Sequence, residues 1–99
     1  MNSPGSADRS RWPHARIDAA LQDLSGWRRE GGELVLEQTF PDFAAALAFV
    51  TEVATLAEAH HHHPEITFGW GHAELRLTTH DAGGLTGLDI QLAAAIIAR

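Results

Sequence analysis

Residues 66–77 read ITFGWGHAELRL, and this stretch decides the fold. Ile66, Phe68 and Trp70 alternate with polar or small residues, and Ala73, Leu75 and Leu77 do the same. A period of two is the mark of a strand with one buried face. Gly71-His72 lies between the two runs, and glycine supplies the positive φ that tight hairpin loops want. The stretch therefore predicts a β-hairpin with Trp70 opposite Ala73, Phe68 opposite Leu75 and Ile66 opposite Leu77. These side chains then share one face, as a single core requires.

The pattern changes on both sides of the hairpin. Upstream, from 42 to about 61, Phe43, Leu47, Val50, Ala54 and Ala57 recur at helical spacing. Phe49, Val53 and Leu56 widen the stripe, so this helix is expected to have more than one packing partner. Pro41-Asp42 opens it and Pro64 closes it, because a residue before proline is pushed out of the α region. Leu34, Leu36 and Phe40 share one parity and predict a strand, Trp27 to Arg29 predicts a shorter one, and Gly31-Gly32 turns between them. Ile17, Ala20, Leu21 and Leu24 predict a first helix over roughly 13–24. Downstream, 81–84 reads as a loop, Thr86-x-x-Asp89 as a capping box with Asp in the place of Glu, and Leu88, Leu92 and Ile96 as the stripe of a last helix. Trp27 and Trp70 are expected in the core. The order is α-β-β-α-β-β-α, an α+β domain with a four-stranded antiparallel sheet and helices on one face. Residues 1–11 (MNSPGSADRSR) read as a disordered tail, and 12–99 as the domain.

Composition narrows the function. Ninety-nine residues suit one small domain, whose thin core makes association into an oligomer a reasonable expectation. Seven Arg against thirteen Asp and Glu give a net charge of −6, which disfavours binding to nucleic acid. Without cysteine, disulfides, thiolate metal sites and Cys nucleophiles are excluded. No apolar run approaches the roughly eighteen residues of a membrane span, and the N-terminus lacks a signal-peptide pattern, so no membrane partner and a cytoplasmic protein are expected.

Seven histidines are the compositional oddity, four of them consecutive at 60–63. Such a run can be a solvated helix end or a metal site. The second reading suffers because adjacent residues seldom point at one ion, and no metal-ligand spacing is present. General acid–base chemistry is the third reading, and the hairpin favours it. Extending the expected register puts Pro64 opposite Thr79 and His63 opposite His80, so two separate stretches bring imidazoles to one sheet edge. Glu58, one turn before His62, and the helix C-terminus both favour imidazolium. Asp81 is placed to orient His80, and Asp89 sits at the mouth of the following helix.

Glu58-x3-His62-His63-Pro64-x5-Trp70-x9-His80-x8-Asp89 resembles the signature of the pterin-4a-carbinolamine dehydratases. Gly26-Trp27, Thr39-Phe40-Pro41-Asp42-Phe43, Ala54 to Glu58, Thr79-His80-Asp81 and Gly84-Leu85-Thr86 extend the likeness over about residues 17–97. His60 and His61 lengthen the histidine run beyond the family pattern. The resemblance implies a cofactor-free hydro-lyase without metal. It would dehydrate 4a-hydroxytetrahydropterin to quinonoid dihydropterin in pterin recycling, downstream of an aromatic amino-acid hydroxylase. It implies His62 and His80 as the acid–base pair and His63 as a residue that binds and polarises substrate. Glu58 would support the cluster, and Pro64 with the Thr79, His80, Asp81 and Ala82 backbone would line the pterin pocket, near Asp89. It also implies a homodimer or homotetramer. The other implied role is non-catalytic, as a pterin-binding, assembly or dimerisation-cofactor protein on the same fold.

Overall fold

The computed structural model describes residues 9–99, so most of the expected tail, residues 1–8, lies outside the described residues. The elements are α1 (His14–Leu21), β1 (Trp27–Glu30), β2 (Glu33–Thr39), α2 (Phe43–His60), β3 (Glu65–Gly69), β4 (His72–Leu77), a single 3₁₀ turn (His80–Ala82) and α3 (Gly87–Ala98). The strands form one antiparallel sheet in the order β1-β2-β4-β3. Each helix sends side chains to the same face. Ile17 from α1, Phe49, Val53 and Ala57 from α2, and Leu92, Ala93 and Ile96 from α3 meet Leu34, Leu36, Leu75 and Leu77 of the sheet. Burying each of the larger aliphatic side chains stabilises the fold by about 1.5–3 kcal/mol. The α+β architecture with helices on one face is as expected.

The other sheet face carries a grid of ion pairs. Val35 lies between Arg28 and Arg76 in the ladder and is fully buried. Arg76 pairs with Glu74 (2.9 Å), Glu33 (3.0 Å) and Glu30 (3.3 Å), and its stem and that of Arg28 shield the valine.

The hairpin register differs from the expected one by two residues. Gly69 faces His72, Phe68 faces Ala73 and Ile66 faces Leu75, so the loop is Trp70-Gly71 rather than Gly71-His72. A slide of two preserves parity, and the same aliphatic side chains remain on the core face. The neighbouring strand decides between the registers: Thr39 pairs with His72 and draws it into the ladder. Gly71 adopts φ 80° in the loop, and its carbonyl accepts from Phe40 N–H at 2.8 Å. Trp70 is therefore 71% exposed at the tip, not in the core, whereas Trp27 is buried as expected.

Helix α2 also departs from the simplest reading of its pattern. Its core face is Ala46, Phe49, Val53 and Ala57, while Phe43 and Leu47 are exposed. A helix apolar on two faces gives no internal reason for choosing either, and the sheet covers only one. Averaged over its 18 residues, α2 has a mean hydropathy of 1.3, enough by length and composition to cross a membrane, contrary to the expectation from contiguous runs. It is the helix laid across the sheet, and Glu52 and Glu58 lie within it.

Candidate active site

The end of α2 sets the site. His60 is its last residue, and His61 turns left-handed (φ 50°, ψ 38°). The His62 N–H then reaches back to the Ala57 carbonyl at 3.2 Å, the closing bond of a Schellman cap. The reversal separates two adjacent rings. The His62 side chain turns inward and is 11% exposed, while that of His63 turns outward and is 60% exposed. Glu58 accordingly pairs with His63 and not with His62, as helical spacing suggested. The left-handed residue interrupts that spacing before position 62 is reached.

His62 has a different carboxylate. Its Nε2 lies 2.5 Å from Oδ1 of Asp89, which is fully buried at the start of α3. Asp89 belongs to the expected capping box, and its Oδ2 accepts from Thr86 N–H at 2.9 Å. Oδ2 also accepts from the Thr79 hydroxyl at 2.8 Å. That donation leaves the Thr79 oxygen as acceptor for the Thr86 hydroxyl at 2.9 Å, and Thr86 in turn accepts from Leu88 N–H at 3.2 Å. Every donor in this chain points towards Asp89, which identifies it as the acceptor. The Nε2 of His62 must then carry the proton it shares, and Nδ1 is the nitrogen left for exchange.

The remaining imidazole arrives from β4. An isolated bridge, Thr79 to Gly84, pinches off the 3₁₀ turn that carries His80. Gly83 closes this turn at φ 71°. His80 is exposed, and among the described residues its ring has no hydrogen-bond partner. Asp81, expected to orient it, instead accepts from Arg9 at 3.0 Å. With the register shifted and β4 ending at Leu77, His63 and His80 do not form the expected cross-strand pair.

A pocket of about 210 Å³ gathers His61, His62, His63, Thr78, Thr79, His80 and Asp81, with Arg9 beside them. Of the expected site residues, His62, His63, Thr79, His80 and Asp81 line it. Asp89 stands behind His62 and Glu58 outside His63, while Pro64 and Ala82 adjoin lining residues without lining the pocket themselves. Thr79 is 3% exposed, and its hydroxyl is used inward. Sequence reasoning missed Arg9, which falls in a segment without periodicity, and it read Thr86 only as a cap. Larger depressions, of about 610 Å³ on the open sheet face, 460 Å³ beside α1 and 250 Å³ between α2 and Arg99, gather no comparable set of imidazoles. Among the described residues, no group of three or more His, Asp or Glu is arranged to hold a metal ion.

One imidazole is steered by a buried carboxylate, a second is held on an exposed one, and a third has no hydrogen-bond partner among the described residues: one pocket beside a helix-covered antiparallel sheet gathers all three. The sequence profile described as "Pterin 4 alpha carbinolamine dehydratase" matches residues 10–98. A protein of Roseiflexus castenholzii that carries the pterin-4-alpha-carbinolamine dehydratase name is 52% identical over 82 residues, covering 83% of this chain and 88% of its own. A namesake in Thermomicrobium roseum is 48% identical over 84 residues, with coverage of 85% and 90%. The solved "transcriptional coactivator/pterin dehydratase" of Brucella melitensis superposes with a TM-score of 0.84 at 31% identity, covering 90% of this chain and 97% of that one. A pterin dehydratase-like protein described as a RuBisCO assembly factor in the alpha-carboxysome superposes at 0.61 with 28% identity, covering 74% and 87%. The chain belongs to the pterin-4-alpha-carbinolamine dehydratase family, a family of hydro-lyases.

Proposed function

We propose that the protein dehydrates 4a-hydroxytetrahydropterin by histidine acid–base catalysis, releasing quinonoid dihydropterin and water. The carrying observation is the contact of His62 with buried Asp89, which leaves one ring nitrogen free in a pocket that also holds His80. Loss of water from C4a needs a proton delivered to the departing hydroxyl and another removed from a pterin ring nitrogen. One imidazole can serve each step, since an imidazole can act as general acid or general base. His63, steadied by Glu58, binds and polarises the substrate in this reading. Thr79 and Asp81 form part of the wall, and Pro64 and Ala82 stand next to residues that line it. Pterin recycling downstream of an aromatic amino-acid hydroxylase, a cytoplasmic location and a homodimer or homotetramer complete the proposal.

The test is the decay of freshly generated 4a-hydroxytetrahydropterin, followed by ultraviolet absorbance with chelator present. Wild-type protein should accelerate it. His62→Ala and His80→Ala should each lower the rate by about 10²–10⁴-fold, the usual range for a positioned acid or base. An inert wild type, or an unimpaired His80→Ala, overturns the reading.

A second reading, an assembly protein on the same scaffold, is favoured by the exposed Phe43 and Leu47 of α2 and by the likeness to the carboxysomal assembly factor. It gains ground if the folded protein binds pterin without turning it over.

A further inference from the structure

Segment 9–13 was expected to be largely tail, yet its position is built into the fold. Trp12 N–H donates to the Leu85 carbonyl at 2.8 Å, and the Arg16 guanidinium lies 3.6 Å over the Trp12 ring. The Arg11 stem runs so close to Gly84 that a Cβ there would stand 2.9 Å from the Arg11 Cδ. Both anchors lie on the connection between His80 and Asp89, and they lead the chain to Arg9 at the histidine pocket.

Resting on the pterin reading, we propose that Arg9 is a specificity-determining residue which selects pterins whose side chain ends in a carboxylate or phosphate. Three observations carry this. First, the pocket, at about 210 Å³, falls below the roughly 300–1,000 Å³ usual for drug-sized ligands, so a bicyclic ring takes up its depth and a substituent must extend to the rim. Second, the rim holds Arg9, the one arginine among the lining residues, whose planar guanidinium fork matches a carboxylate or phosphate. Third, Arg9 is poised rather than committed. Its contact with Asp81 joins side chains 64% and 77% exposed, and such a solvent-screened pair contributes little. One guanidinium nitrogen serves Asp81, and the planar fork retains donors for bidentate capture of an anion. The carboxylates behind His62 and His63 are already engaged by those rings, and among the described residues the His80 ring has no hydrogen-bond partner, so an incoming anion meets Arg9 and His80 first.

Stable pterins test this by calorimetry at low salt: pterin-6-carboxylate against 6-hydroxymethylpterin, and neopterin monophosphate against neopterin. Wild type should prefer the anionic member of each pair by about 5–30-fold, the equivalent of one or two kcal/mol. The ratio should fall towards one in Arg9→Ala and Arg9→Gln, recover partly in Arg9→Lys, and shrink with added salt. Arg9 is exposed, and an unchanged melting temperature would show that the variants remain folded. A preference for one anion alone narrows the class to carboxylate or to phosphate. If wild type binds both members of each pair equally, or if the ratio survives Arg9→Ala, this assignment is overturned while the dehydratase reading stands. If wild type binds none of the four, the pterin reading itself fails.

Discussion

Asp89 is the residue on which stability and chemistry meet. It caps α3, anchors the Thr79–Thr86 chain and orients His62, all from a position without solvent. Asp89→Asn replaces an acceptor oxygen with a donor where every neighbour already donates. The turnover rate should fall by at least about 10²-fold with a smaller change in KM, because the wrong ring nitrogen is then presented to substrate. Thr79→Val is the milder probe. It removes one donor to Asp89 and leaves the buried Thr86 hydroxyl without an acceptor, so urea denaturation should show a loss of about 1–3 kcal/mol. His60→Ala should be nearly silent in rate, since this ring ends α2 on the solvent side and lies outside the pocket.

At the scale of elements, the left-handed His61 does most to shape the site. It ends α2, turns His62 inward and hands Glu58 to His63. A β-branched residue tolerates this conformation poorly, so His61→Val should destabilise the fold by about 1–2 kcal/mol. His61→Gly should change it by less than about 1 kcal/mol, because relief of strain is offset by greater freedom of the unfolded chain. Comparing the two urea midpoints checks the cap. Much of this was legible beforehand: the histidine run, the stop before Pro64 and the Thr86–Asp89 box could all be read from residue order. The left-handed turn could not, because histidine carries no strong signal for it and glycine would have been the natural expectation. The hairpin register escaped for a related reason. Both candidates bury the same residues, and pairing between β2 and β4, which are distant in sequence, chose between them.

Across the whole molecule, charge and apolar surface are distributed unevenly. The open sheet face holds its carboxyls through arginine. Hydrogen bonds from Arg28 and Arg76 keep Glu30 and Glu74 below the ordinary carboxylate range, and Arg29 does the same for Asp18 in α1. Folded values below the unfolded ones mean that this stabilisation is present above the usual carboxylate range and is lost as pH falls through the folded values. The urea midpoint should therefore drop on acidification from about pH 5 to pH 3, and less steeply in Glu74→Gln. These pairs are exposed, so the effect should be modest and should weaken with salt. On the opposite side, the exposed Phe43 and Leu47 suit self-association. Sedimentation at micromolar concentration should show a species larger than the monomer that Leu47→Arg shifts towards it.

Residue order alone determined the elements, their sequence along the chain, the parity of each strand and the histidines expected to matter, because periodicity, caps and turn residues are local properties of the backbone. Which face of α2 is covered, which carboxylate meets which imidazole, and that Arg9 stands at the mouth of the pocket were decided only when the chain closed on itself. Those contacts join segments far apart in sequence, and no local pattern encodes the distance between them.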